Sequence, residues 1–241
     1  MRTNTIRAIA IKSFAVLVVF GSAAVAQRAA TAYPNMAPLD QYLMDRDAEI
    51  ALARTAAPES ISHDAEVLVL GRHGFESAVK GKNGFVCIVE RGWTAAADPD
   101  FYNPKVRVPI CDNAAAAHSF LLRNLKTTEL VLAGRSKAGV DASVAAAVAQ
   151  KELPPMEPGA MCYMMSKQGY GGDVAPHWPA HVMFFYSKLG PATWGANLPG
   201  SPVMAVSDDE LTEFAIGVGR WSDGTEDQQA EKTTEGVHET K

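Results

Sequence analysis

Two segments that are apolar at nearly every position constrain the fold most. They are residues 161–166 (MCYMMS) and 181–186 (HVMFFY). A strand with one solvated face alternates apolar and polar residues, whereas a short run that is apolar on both faces is typical of a strand inside a sheet. We therefore predict that both segments are central strands.

Further strands are predicted on the N-terminal side of this pair. Residues 66–70 (EVLVL) form one strand that ends at Gly71, and residues 84–90 (GFVCIVE) form another. The dipeptide at 83–84 is Asn-Gly, a strong signal for a two-residue hairpin, so a strand at 77–80 is expected to pair back across it. Weaker strand patterns occur at 203–206 and 214–218.

Helices do not alternate regularly with these strands. Alanine-rich helices are predicted at 114–125 and 140–153, while residues 92–113 contain several prolines and are expected to form a long ordered loop. The irregular order argues against a parallel doubly wound sheet. The predicted fold class is α+β: a single domain at 58–221, with an antiparallel sheet and helices packed on one side.

The N-terminus has the pattern of a secretory signal peptide at 1–26. Basic residues are followed by an uncharged run at 13–26, which ends in Ala24-Val25-Ala26, a small-x-small cleavage site. The strongly apolar part, 14–20, is far shorter than the roughly 20 residues that a membrane span needs, which disfavours the alternative of an uncleaved anchor. We predict an exported protein, periplasmic or extracellular.

Cleavage after Ala26 removes three basic residues and no acidic ones. The remaining 19 basic and 27 acidic side chains give a net charge of −8, against −5 for the whole chain. An acidic surface repels polyanions, so nucleic acid is excluded as a partner class. The mature chain also has no segment long and apolar enough to span a membrane. An envelope component or a small molecule stays open as the partner.

Two segments flank the predicted domain. Residues 27–57 form an N-terminal helical segment, with a solvent-facing amphipathic helix expected from Asp40 to about Ala56, before Pro58. Residues 222–241 contain one aliphatic residue and no aromatic one. Because such a segment buries too little apolar surface to offset the entropy of ordering, it is predicted to be a disordered polar tail.

The three cysteines allow three alternative single disulfides. Cys87–Cys111 is the most plausible pair, since it would tie the long loop to a strand, and its alternative is that all three are small buried hydrophobes. Cys162 would then be a lone thiol in an apolar strand. Burial raises the pKa of a thiol and makes it unreactive, which disfavours a catalytic role.

The densest cluster of chemically active side chains is at 173–181 (DVAPHWPAH), with Asp173, His177 and His181. Pro176 and Pro179 make a helix unfavourable, so the histidines do not share a helix face. If the loop folds back, Cys162 or Asp173 could complete a zinc or copper site. We favour packing of the prolines and hydrogen bonding of both imidazoles, and no resident cofactor is predicted. At least one histidine is expected to line the main cleft.

Ser136 lies in a segment that partly matches a hydrolase motif. The sequence GRSKA at 134–138 follows an apolar run, as a nucleophile elbow follows its strand, and a triad could be drawn from Ser136, Asp173 and His177 or His181. Two of these partners would share one loop, which is unusual for a triad. We favour Gly134 as the end of one helix and Ser136 as the N-cap of the next.

Three phrases of the chain are similar to those of a group of uncharacterised exported bacterial proteins. They are GKNGFVCIVER at 81–91, HVMFFY at 181–186 and PGSP at 199–202, in the same order along the chain. The resemblance covers roughly residues 58–221. It implies a bacterial source and a single exported domain, and it implies no activity, cofactor or catalytic residue.

Two functional classes follow from these patterns. The first is a non-enzymatic exported protein that binds a small ligand or an envelope partner. The alternative is a small exported hydrolase or metal-dependent enzyme with its site around Asp173, His177 and His181. An enzyme of that kind needs a nucleophile or a metal close to a histidine at the wall of a pocket, which separates the two classes.

Overall fold

Eight strands form one sheet in the computed structural model, which describes residues 32–95, 98–208 and 210–228. The strands are β1 (Glu66–Gly71), β2 (Gly74–Val79), β3 (Val86–Glu90), β4 (Val108–Asp112), β5 (Met161–Met164), β6 (His181–Ser187), β7 (Val203–Ser207) and β8 (Leu211–Gly217). Their order across the sheet is β2-β1-β3-β4-β5-β6-β8-β7. Only β1 and β3 pair in parallel within these ranges, so the sheet is mixed but mainly antiparallel.

Six α-helices lie within the described ranges: α1 (Arg46–Arg54), α2 (Glu59–Ser62), α3 (Gly92–Ala95), α4 (Ala114–Ala117), α5 (Phe120–Leu132) and α6 (Lys137–Ala149). Short 3-10 turns occur at Leu39–Gln41, Asp98–Asp100 and Pro191–Trp194. These helices and the mainly antiparallel sheet confirm the α+β class. The two apolar segments are β5 and β6, at internal positions of the sheet as predicted.

Helices cover both faces of the sheet, which corrects the prediction that they pack on one side. Cys87 and Val89 of β3 pack against alanines of α1 and of the turn after it. Ile88 of the same strand belongs to the opposite cluster, in which Phe120 of α5 stacks on Phe185 of β6. Both faces of β3 are apolar, so each face requires a covering layer. We call them the α1 face and the α5 face.

The hairpin lies at a different turn from the predicted one. β1 and β2 pair across Arg72 and His73, with Gly71 opposite Gly74. After β2 the chain passes close to the first residue of β1 and then enters β3, which runs parallel to β1. At this crossing Gly81 lies so close to Glu66 that a Cβ would be 2.3 Å from the Glu66 backbone nitrogen. The Asn83-Gly84 dipeptide shapes this crossing, and the hairpin prediction was wrong.

The predicted disulfide joins two neighbouring strands. Cys87 and Cys111 are bonded, with their Cα atoms 4.0 Å apart, and they face each other in the β3–β4 pair. The predicted loop at 92–113 therefore contains a strand, β4, at its C-terminal end. Cys162 is buried and unpaired among the described cysteines, as predicted.

The flanking segments also differ from their predicted form. The carboxylate of Asp45 accepts hydrogen bonds from the backbone N–H groups of Asp47 and Ala48, which starts α1 at Arg46 rather than at Asp40. At the other end, ordered chain continues past 221, and Asp227 is buried with its carboxylate accepting from the Ala180 backbone N–H. The predicted signal peptide at 1–26 and the tail beyond residue 228 lie outside the described residues.

Candidate functional site

A small cleft lies where β5 ends and β6 begins. Its walls are mainly apolar, and its lining also includes Ser166, His177 and His181 together with the backbone of two glycines. The apolar lining residues are Val108, Pro109, Met164, Pro176, Trp178 and Trp221. The cleft has a volume of about 40 Å³. It therefore admits one small group of a ligand rather than a whole large molecule.

The loop from residue 165 to residue 180 forms most of the cleft. It is held by contacts with the segment that precedes β4. Arg107 and Tyr170 exchange backbone hydrogen bonds of 2.9 and 2.8 Å. Gly172 has a φ of +119°, and a Cβ there would lie 2.6 Å from a carboxylate oxygen of Asp100, which accepts from the Val174 N–H. This close approach requires glycine. The loop is therefore held in place by Arg107 and Asp100.

His181 is almost completely buried in this lining, with 3% of its surface exposed. Its Nδ1 lies 2.6 Å from the carbonyl oxygen of Pro179. A carbonyl oxygen can only accept, so Nδ1 carries the proton and the neutral ring has its lone pair on Nε2. That Nε2 is buried and has no hydrogen-bond partner among the described residues. Burial lowers the pKa of His181, an effect that the Pro179 carbonyl partly opposes.

His177 lies in the same cleft, in a more exposed position. Its Nδ1 lies 3.0 Å from the Gly169 carbonyl oxygen, so by the same argument Nδ1 donates and Nε2 is the acceptor. Both histidines therefore have their ring orientation set by a backbone carbonyl. In this cleft, Nε2 of His181 has no hydrogen-bond partner among the described residues, and His177 is exposed. In the neutral form of each ring, Nε2 is a hydrogen-bond acceptor.

Asp173 does not line the cleft, although it belongs to the same loop. Its carboxylate accepts hydrogen bonds from the hydroxyls of Tyr33, at 2.7 Å, and Tyr170. The Tyr170 hydroxyl, followed by that of Tyr33, lowers the pKa of Asp173, and Asp173 raises the pKa of Tyr170 to about 12. The carboxylate is committed to two neutral hydroxyls and does not orient either imidazole.

Cys162 and Ser136 also lie apart from the histidines. Cys162 is fully buried inside β5, where burial raises the pKa of its thiol and the Asp112 carboxyl adds to the effect. Ser136 caps α6, accepting from the Gly139 N–H, and lines a different cavity of about 400 Å³ beside residues 34–36. Neither Ser136 nor Asp173 lines the cleft that contains the two histidines, so no triad is assembled there, and the capping interpretation of Gly134 and Ser136 is correct.

The donor set proposed for zinc or copper is likewise dispersed. Within residues 32–95, 98–208 and 210–228, no three histidine, cysteine, aspartate or glutamate side chains are grouped so that they could hold a metal ion. His177 and His181 share the cleft, while Asp173 and Cys162, the proposed third ligands, lie elsewhere. The residues that the sequence singled out thus give a pair of imidazoles, without the additional ligands.

Trp221 is the cleft residue that sequence reasoning missed. It was placed at the last position of the domain, before a segment predicted to be disordered. The backbone N–H of Ser222 donates to the Met165 carbonyl, and Lys167 forms an ion pair with Asp223, so this segment is held against the loop at 165–180. A tryptophan at the edge of a polar segment was the available signal, since an indole there needs an apolar contact.

No protein-family model, no curated protein and no solved structure matches this chain. The similarity to exported bacterial proteins therefore stays a prediction from the three phrases. Among the described helices, none combines the length and the apolar character needed to cross a bilayer.

The tautomer and the pKa of His181 can be measured together. We expect imidazole ¹⁵N NMR to show a protonated Nδ1 and an unprotonated Nε2 at neutral pH, with a titration midpoint below the ordinary value of about 6.5. Because the unfolded chain binds this proton at a higher pH than the folded protein does, His181 lowers the free energy of unfolding as pH falls below about 6.5. His181→Gln should remove this contribution. A midpoint at or above 6.5, or a protonated Nε2 in the neutral ring, would contradict the assignment.

Proposed function

We propose that the chain is an exported, non-enzymatic bacterial binding protein whose ligand enters the His177–His181 cleft. The observation that carries the proposal is the Nε2 atom of His181: it is an acceptor, it is buried, and it lacks a partner among the described residues. Most buried polar atoms are hydrogen-bonded, so an unsatisfied one on a residue that lines a cleft is a place where a ligand donor, entering as the lining opens, gains a hydrogen bond.

Export is supported by the leader pattern at the N-terminus and by the Cys87–Cys111 disulfide. Disulfides persist in oxidising compartments and are rare in the cytosol. The non-enzymatic assignment is supported by the separation of the predicted nucleophiles, Ser136 and Cys162, from the imidazoles. The hydroxyl of Ser166, which does line the cleft, is hydrogen-bonded to the Thr55 hydroxyl and accepts from the Gln168 N–H. Ser136 lies at another cavity, and Cys162 is covered by the sheet and its helices. The hydrolase alternative requires one of these groups at the cleft wall.

Mapping with small organic molecules tests the cleft as the binding site. Isopropanol, acetamide and phenol are added in turn to the protein from residue 27 to residue 241, and backbone NMR shifts are recorded. We expect all three to shift residues of the cleft, Trp178 and Trp221 above all. Trp178→Leu is the matched variant, because its indole is 40% exposed and its loss should weaken binding without unfolding the chain.

The second cavity provides the internal control for this mapping. It is larger, about 400 Å³, and includes Ser136 and Lys137. If the organic molecules gathered there and left His177 and His181 unshifted, the proposed site would be wrong. Hydrolysis of p-nitrophenyl acetate that depends on Ser136, shown by its loss in Ser136→Ala, would favour the enzyme alternative.

A further inference from the structure

From the lining of the cleft we infer the class of ligand, an inference that rests on the proposed function. We propose that the cleft binds a phenolic group, an uncharged aromatic ring that bears a hydroxyl donor. The hydroxyl donates to Nε2 of His181, and the ring packs on the part-exposed indole of Trp178. The source is either a tyrosine side chain of a polypeptide or a free phenol, since both present the same group.

The hydrogen bond at His181 requires a donor on the ligand. With Nδ1 of His181 held by Pro179, the other nitrogen of the neutral ring can only accept. A carboxylate, phosphate or carbonyl oxygen therefore finds no donor at this nitrogen, and the ligand must supply the proton. His177 repeats the arrangement with Gly169, so a second acceptor lies in the same cleft.

The side chains that line the cleft favour an uncharged ligand. None of the eleven residues in the cleft lining is an aspartate, glutamate, lysine or arginine. The nearby carboxylates are already committed: Asp173 to two tyrosine hydroxyls, and Asp223 to Lys167. An ammonium ion entering this apolar lining would lose its hydration without gaining a counter-ion, which is far more unfavourable than burial of a neutral hydroxyl that forms one hydrogen bond.

The indoles and prolines of the cleft wall favour an aromatic ring. Trp178 lies with its ring centroid 5.9 Å from that of His181, and Trp221 and two prolines complete the apolar wall. Aromatic rings pack well on indoles, and a hydroxyl at one end of a ring suits a cleft that is apolar around one buried acceptor. The volume of about 40 Å³ is well below the roughly 150 Å³ of a cavity that encloses benzene, so the hydroxyl end of the ring enters the cleft and the ring itself packs on the part-exposed indole of Trp178.

The test compares ligands that differ in the hydroxyl alone. N-acetyl-tyrosinamide and N-acetyl-phenylalaninamide are titrated into the mature protein, with p-cresol and anisole as a second pair, and the His181 ¹⁵N resonances are followed by NMR. We expect the hydroxylated member of at least one pair to bind at least about tenfold more tightly and to shift Nε2, because the partner without a donor leaves this buried acceptor unpaired. In His181→Phe the preference should disappear.

The outcomes separate this inference from the proposed function. Binding of p-cresol without N-acetyl-tyrosinamide would identify a free phenol as the source, and binding of both would admit a tyrosine side chain. Equal affinity within each pair, or stronger binding of butylammonium, would overturn the phenolic inference while the cleft stays the binding site. If isopropanol and acetamide also left the cleft unshifted, the proposed function itself would fall. The comparison in the wild-type protein needs no variant, so it holds even if His181→Phe does not fold.

Discussion

Replacing Arg91 with methionine is expected to lower the free energy of unfolding by about 3–5 kcal/mol, measured by urea denaturation. Arg91 and Glu49 form an ion pair with a 2.8 Å N–O distance, and both side chains are buried. The variant leaves the Glu49 carboxylate without its cation inside the protein. Loss of one partner of a buried pair is strongly destabilising because the other charge stays desolvated.

Arg91 also holds the segment before the sheet in place. Its guanidinium donates to the carbonyl oxygens of Tyr42, at 2.9 Å, and Val89, so the variant additionally leaves two carbonyls unpaired. Glu49 in turn accepts from the Leu70 N–H. One side-chain pair therefore links α1, the chain before it, β1 and the end of β3.

A surface pair provides the matched control. Arg46 and Glu76 are both more than half exposed at 3.3 Å, and Arg46→Met should change stability by less than about 1 kcal/mol. The double variant Glu49→Leu/Arg91→Met removes both charges and should be less destabilised than Arg91→Met alone, since no lone charge is left buried. Equal effects of Arg91→Met and Arg46→Met would show that the buried pair does not stabilise this fold.

This ion pair shows what local patterns leave out. Glu49 lies within the helix that was predicted to face solvent from Asp40 to about Ala56, and a helix is indeed present at Arg46–Arg54. The burial of Glu49 depends on Arg91, 42 residues further along the chain. Hydrophobic periodicity describes one element at a time, so a polar residue that is paired with a distant partner is assigned to the wrong face.

The strands were predicted better than their pairing. The segments at 66–71, 86–90, 161–164 and 181–187 were recognised because their apolar residues are consecutive or alternate. The pairing of β1 with β3 in parallel depends on a close backbone crossing at Gly81, and the Asn-Gly pair at 83–84 gave a competing hairpin signal. Turn residues describe only the local backbone, so they do not reveal such a crossing.

The candidate site was predicted in part. His177 and His181 lie in one cleft because the loop at 165–180 folds back, as the glycines and prolines allow. The sequence did not reveal that Tyr33 and Tyr170 bind Asp173, since Tyr33 is 140 residues away. The contribution of Trp221 was also hidden, because composition alone assigned the following segment to disorder. Both omissions concern contacts between distant parts of the chain.

Replacing Asp112 with asparagine is expected to stabilise the protein at neutral and alkaline pH. Asp112 is fully buried on the α5 face, and neither carboxylate oxygen has a hydrogen-bond partner among the described residues. Burial raises the pKa of Asp112 well above its ordinary value. The folded protein therefore either keeps a proton that the unfolded chain releases or holds a desolvated charge, and both are unfavourable as pH rises.

The pKa values of Asp112 in the unfolded and folded states set the pH range of this effect. Below the unfolded-state pKa of about 3.9 both states are protonated, and Asp112 makes no pH-dependent contribution. Above it the unfolded chain binds fewer protons, so the free energy of unfolding falls by about 1.4 kcal/mol per pH unit until pH reaches the folded-state pKa. In Asp112→Asn this decline is removed, and the stability difference from the wild type should widen over that window.

Neighbouring carboxyls keep part of the decline in the variant. Glu90, which accepts from Asn124 of α5, has its pKa raised by burial and then by Asp112, and burial raises the pKa of the half-buried Glu213 to about 7. Asp112→Asn should therefore flatten the pH dependence without abolishing it. Loss of the Asp112 charge should also bring the pKa of Glu90 closer to its ordinary value.

Asp173→Asn is the control of opposite sign. The tyrosine hydroxyls lower the pKa of Asp173, so that carboxylate stabilises the folded state above the unfolded-state pKa, and its stabilisation is lost as pH falls. Urea denaturation between pH 4 and pH 8 should thus show Asp112→Asn gaining stability relative to the wild type as pH rises, while Asp173→Asn stays below the wild type by a nearly constant amount and approaches it only as pH falls below about 3.9. If Asp112→Asn followed the wild type in parallel at every pH, the carboxyl would have to be hydrated or paired in solution. Burial of the Asp112 carboxyl would then not govern the pH dependence of this fold.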